Sequence, residues 1–180
     1  MLEEVRKHIG LMIARLQGRN ANGKQTNFRG VYTKARSALF IMPPEEEHRT
    51  LALSVIQKAQ HQFKGNSLTV LASNTASRAV AGKLSQCVMV PVHEEQVNFF
   101  FLPKKSLITR LKEKKYDVIV DLNLDATPLA ASVCAHVEAP LKAGFRSPQS
   151  ETLYNLQLQS APARPPKLRY EQLVQTLAMF

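Results

Sequence analysis

Residues 115–121, Lys-Tyr-Asp-Val-Ile-Val-Asp, constrain the fold more than any other stretch of this chain. A short unbroken apolar run ending in an acid is the pattern of a strand buried on both faces. A basic helical stretch precedes it and a small-residue helical stretch follows it. Together they make one strand–helix–strand step of a parallel sheet.

The same step recurs along the chain. Ala38–Met42 reads as a buried strand stopped by Pro43-Pro44, and Glu45, Glu46 and Glu47 then fall in the first turn of a helix running to about Phe63. Carboxylates there complement the helix dipole. Strands follow at about Ser67–Ala72, Cys87–Val90, Tyr116–Asp121 and Leu141–Phe145. Helices lie between them, over about 74–84, 104–115 and 127–136. A further strand is possible near Leu153–Leu158, and Tyr170–Ala178 closes as a helix. Strict alternation of this kind predicts a single open Rossmann-like α/β domain, with about five parallel strands and helices on both faces.

Ahead of that domain, Val5, Ile9, Met12, Ile13 and Leu16 recur at helical spacing, predicting an N-terminal amphipathic helix over 2–18. The expected division is therefore a basic helix and linker over 1–36 and the Rossmann-like domain over 37–180. The first part reads as an appendage.

Charge is concentrated there. The chain carries a net +10, and the first 36 residues hold Arg6, Lys7, Arg15, Arg19, Lys24, Arg29, Lys34 and Arg36 against Glu3 and Glu4. The helix over 104–115 adds Lys104, Lys105, Arg110, Lys112, Lys114 and Lys115. Such an excess favours an acidic partner: an acidic protein, a membrane-protein complex or an anionic membrane surface. A solvated basic tail is the plainer reading of the same run. Arg6, Lys7, Arg15, Arg19, Lys24, Arg29, Lys34, Arg36, Lys104 and Lys105 are the candidate partner-binding residues. Nucleic acid is disfavoured, because aromatics are few, tryptophan is absent and no base-reading motif is present.

Motifs for chemistry are absent. Cys87 and Cys134 have no disulfide, metal or redox spacing and read as core thiols of a reducing compartment. His48, His61, His93 and His136 fall on different elements without metal-ligand spacing. No Walker loop, Gly-x-Gly-x-x-Gly or Gly-x-Ser-x-Gly occurs, so neither metal nor cofactor is expected. Asp121 and Asp125 stand at a strand's carboxyl end, where ligands bind in this architecture, although strand-end acids are commonly structural. No apolar run is long enough to span a bilayer. The expected location is cytoplasmic and peripheral to a membrane complex.

Three segments resemble the N-terminal domain of heptosyltransferase-like glycosyltransferases (glycosyltransferase family 9). They are Ala38–Met42 with the helix after it, the Lys115–Asn123 segment, and Ala139-Pro140-Leu141-Lys142-Ala143-Gly144-Phe145-Arg146. The resemblance spans roughly residues 38–146. It implies a fold in which sugars react between two Rossmann-like domains, with the nucleotide-sugar held mainly by the C-terminal one. It also implies a Gly-x-x-Gly-Asp loop after the first strand, supplying a catalytic acid. Here that place reads Met42-Pro43-Pro44-Glu45-Glu46-Glu47-His48, without glycine and with two prolines that lack an N–H for an anion.

The chain also ends after about one domain. It is therefore expected to be a non-catalytic accessory or scaffold subunit that docks an acidic partner. A fainter resemblance, to small basic peripheral subunits of the green sulfur bacterial photosynthetic assembly, implies a linker between an acidic antenna protein and the reaction centre. The alternative is a glycosyltransferase, degenerate or completed by another chain, with its acid near residues 45–49 or at Asp121 or Asp125.

Overall fold

A computed structural model describes residues 1–18, 30–63, 66–148, 152–161 and 163–180. Six parallel strands form one sheet: β1 (Ala38–Ile41), β2 (Leu68–Ser73), β3 (Cys87–Val92), β4 (Val118–Asp121), β5 (Leu141–Phe145) and β6 (Leu156–Leu158). Their spatial order is β3-β2-β1-β4-β5-β6, the doubly wound arrangement in which the chain reverses direction between β1 and β4. The sixth strand, beyond the expected five, lies where the sequence leaves a strand possible.

The central strands β1 and β4 are buried at every position, which is why they do not alternate. Successive side chains point to opposite faces and fill two cores. Phe40, Val70, Val120 and Ala143 face α3 (Glu46–Gln60), α4 (Asn74–Val80) and α7 (Pro166–Leu177). Leu39, Ile41, Leu71 and Ile119 face α5 (Lys105–Lys112), α6 (Pro128–His136) and α1 (Leu2–Gly18). The short α2 (Val31–Lys34) packs at the margin of the first core.

Helix starts follow their local chemistry. Ser73 caps α4 by accepting from the Ala76 N–H at 3.2 Å. Thr127 caps α6 in the same way, with Pro128 in its first turn. The helix expected over 104–115 is shorter, ending at Lys112.

The N-terminal helix departs most from expectation. It is no appendage: Leu11 and Ala14 belong to the second core, and Gly10 and Gly18 are buried as well. These four form the face that meets α6. Gly10 lies over Pro128 and Gly18 beside Ala135, so the two helices run parallel in close contact. A Cβ at Gly10 would stand 2.2 Å from the Phe100 carbonyl oxygen, which explains why glycine is there. The buried face is thus built from small residues. Of the larger apolar residues that predicted the helix, Val5, Met12 and Leu16 point outward.

Candidate functional site

The strand-end motif proves to be architecture. Tyr116 is buried in the second core. The Asp117 Oδ2 accepts from the Arg36 N–H at 2.7 Å, the Ser37 N–H at 3.0 Å and the Ser37 hydroxyl at 3.1 Å, tying the start of β4 to the start of β1. Asp121 is 1 % exposed at the other end of β4. One of its oxygens accepts from the Tyr154 hydroxyl; the other accepts from the Asn123 backbone N–H at 2.9 Å and from the Asn123 side-chain amide. Burial raises the Asp121 carboxyl above its ordinary range, against the opposing pull of these hydrogen bonds.

The Gly144-Phe145 pair has a structural role too. A Cβ at Gly144 would meet the Tyr154 ring at 2.6 Å, so glycine makes room for the ring that reaches Asp121. Phe145 packs edge-on against Tyr170, and the Arg169 guanidinium lies 5.2 Å from its centroid.

Outside the carboxyl ends of β1–β4 a cleft of about 910 Å³ opens. This is the place where open parallel sheets bind ligands. Ile41, Met42, Pro44 and Glu45 border it from β1 and its turn, and Leu71, Ala72 and Ser73 from β2. His93 and Glu94 come from β3's end, Asn123, Asp125 and Thr127 from beyond β4, and Glu4, Lys7 and His8 from α1. The first turns of α1 thus wall the cleft, a contribution invisible in local sequence because it depends on α1 running parallel to α6.

The cleft is acidic although the protein is strongly basic. Four carboxylates (Glu4, Glu45, Glu94 and Asp125) line it, against one lysine and no arginine. That lysine, Lys7, is 2.9 Å from Glu3 and 3.5 Å from Glu4. Glu45 occupies the N-cap of α3, with Glu46 and Glu47 in the first turn, so the helix end that would attract a phosphate is already faced by carboxylates. Asn123 is 5 % exposed, and its Oδ1 is buried without a hydrogen-bond partner among the described residues. Asp125, by contrast, is exposed at the rim.

The other candidates scatter. His93 caps a short 3₁₀ turn at Glu94–Gln96, His48 stands 3.8 Å from Glu47, and the His136 Nδ1 lies 2.8 Å from the Ser132 carbonyl oxygen. No cluster able to hold a metal occurs among the described residues. Cys134 is buried and Cys87 half-buried, both free thiols.

The basic residues do not form one patch. The Arg6 guanidinium lies 3.8 Å from the Phe99 centroid and 4.7 Å from that of Phe101, and its Nε donates to the Phe99 carbonyl at 2.7 Å. Lys104 and Lys105 are exposed at the start of α5, on the cleft side of the sheet. Lys34 and Arg36 are exposed just before β1, at the opposite end. Arg15 is half-buried on α1, while Arg19, Lys24 and Arg29 lie outside the described residues. No described helix is long and apolar enough to cross a membrane.

The fold is similar to that of glycosyltransferases. The E. coli heptosyltransferase WaaC with ADP is 16 % identical with a TM-score of 0.55; the match covers 77 % of this chain and 46 % of that one. The same enzyme with ADP-2-deoxy-2-fluoro heptose gives a TM-score of 0.56 over 77 % and 47 % of the two chains, again at 16 % identity. A glycosyl transferase family 9 structure from Veillonella parvula DSM 2008 is 11 % identical with a TM-score of 0.53, over 80 % and 42 %. The chain therefore spans less than half the length of these neighbours, and the likeness is one of fold. No family model and no curated protein matches the sequence.

Proposed function

We propose that this chain is a ligand-binding module of glycosyltransferase fold whose cleft takes a hydroxyl-rich group, uncharged or cationic, and does not hold the phosphates of a nucleotide-sugar. The observation that carries this reading is the charge of the lining: Glu4, Glu45, Glu94 and Asp125 border the cleft against Lys7 alone. Carboxylates accept hydrogen bonds from hydroxyls and repel phosphate. That the fold's neighbours are glycosyltransferases supports a sugar as the group bound. Pro43, Pro44 and the carboxylates of Glu45–Glu47 leave the first turn without an anion cradle, and on this reading the module binds and positions a sugar.

The test is a thermal-shift and calorimetric panel of neutral and amino sugars against ADP and ADP-sugars. Sugars should bind, and Glu45→Gln with Asp125→Asn should weaken them about tenfold, the loss of one or two hydrogen bonds to charged groups. Equal binding by the double variant would count against the reading.

A docking role is the second reading, favoured by α5 and the residues flanking it. Lys104, Lys105, Arg110, Lys112, Lys114 and Lys115 are all exposed, and none forms an ion pair among the described residues. Such a face suits an acidic protein surface. Native purification at low and high salt, with identification of what co-migrates, tests it. The narrower idea of a linker between a photosynthetic antenna and a reaction centre has no feature of this fold or cleft behind it.

A further inference from the structure

Helix α1 has two apolar faces: the fold packs one, while the other is largely exposed, with Val5 and Ile9 at its start also bordering the cleft. Gly10, Leu11, Ala14 and Gly18 are buried. At about 100° per residue they fall on the side opposite Leu2, Val5, Ile9, Met12 and Leu16, which share a sector roughly 80° wide. Leu2 is 71 % exposed, Val5 51 %, Met12 55 % and Leu16 58 %. Phe99, 59 % exposed and held against Arg6, extends the apolar surface beside the first turns.

The charges flanking this stripe have one sign. Arg6 and Arg15 stand about 80–100° from its centre, whereas Glu3 and Glu4 lie further round, roughly 120–140° away, and pair with Lys7. In sequence the helix is followed by Arg19, Lys24 and Arg29.

We propose that this outer face seats α1 in the headgroup region of an anionic lipid bilayer, lying flat in the interface. A protein partner fits less well. The stripe is five side chains over two heptads, whereas a coiled-coil seam is sustained over about three to four heptads. A bilayer surface requires no matching ridges. It accepts a short apolar stripe and adds attraction to the cations beside it, the two-signal combination that makes peripheral binding stable. Seated this way, α1 sets the mouth of the cleft near the membrane surface, because its first turns form one wall.

The test is co-sedimentation of the full chain with phosphatidylcholine vesicles, with and without phosphatidylglycerol, at low and high salt. The phosphatidylglycerol vesicles should bind it, and salt should weaken binding. A Met12→Glu/Leu16→Glu variant changes only exposed positions; it should keep its melting temperature and lose binding about tenfold or more. Three results would overturn the proposal: no partition into anionic vesicles, equal partition by the variant, or a dimer seen by light scattering that the variant breaks. Sugar binding by the cleft is measured separately, so either reading fails without the other.

Discussion

Asp121 ends β4 in a buried site, where its carboxylate accepts from the Tyr154 hydroxyl and the Asn123 backbone and side-chain amides. Because burial raises its folded-state pKa above the ordinary 3.8, the folded protein retains a proton that the unfolded chain has lost. Stability therefore falls as pH rises from that value through the raised one, and is level above it. An Asp121→Asn variant lacks this slope. Urea midpoints of the two proteins should diverge as pH rises from 3.8, the wild type falling relative to the variant; parallel profiles would contradict the account. Sequence shows an acid at a strand end. It cannot show Tyr154, 33 residues away, nor that Gly144 is there to admit its ring. Local pattern registers what a residue is, and such partnerships arise only when β5 and the segment after it pack beside β4.

At the scale of elements, the alternation of strands and helices is legible because burial on both faces leaves long apolar runs between turn residues. The orientation of α1 is not legible. Periodicity weighs large apolar side chains, and it selects the stripe of Val5, Ile9, Met12 and Leu16, whereas the packed face depends on Gly10, Ala14 and Gly18. Small residues carry little hydrophobic signal yet let two helices approach closely. Gly10→Val should consequently cost about 1–3 kcal/mol, since the new side chain meets the Phe100 carbonyl and Pro128. Hydrogen exchange should show protection lost along α1 first, with the sheet little changed. Unchanged protection of α1 would mean that the helix does not depend on this contact.

At the scale of the whole molecule, net charge and local charge disagree. The sequence is basic and directs attention to an acidic partner. The folded chain nevertheless places Glu4, Glu45, Glu94 and Asp125, which are up to 121 residues apart, around one cleft. Only the topology brings them together, by delivering the strand ends and the start of α1 to the same edge. The proposed function assigns these surfaces different roles, the basic exterior to anionic surroundings and the acidic cleft to hydroxyl groups. The most direct test of this account is a titration of the labelled protein with ADP and with neutral sugars, followed by amide NMR shifts. Sugars should perturb Ser73, Asn123, Asp125 and Thr127 while ADP leaves them unmoved. Saturable shifts of those four residues by ADP would contradict it.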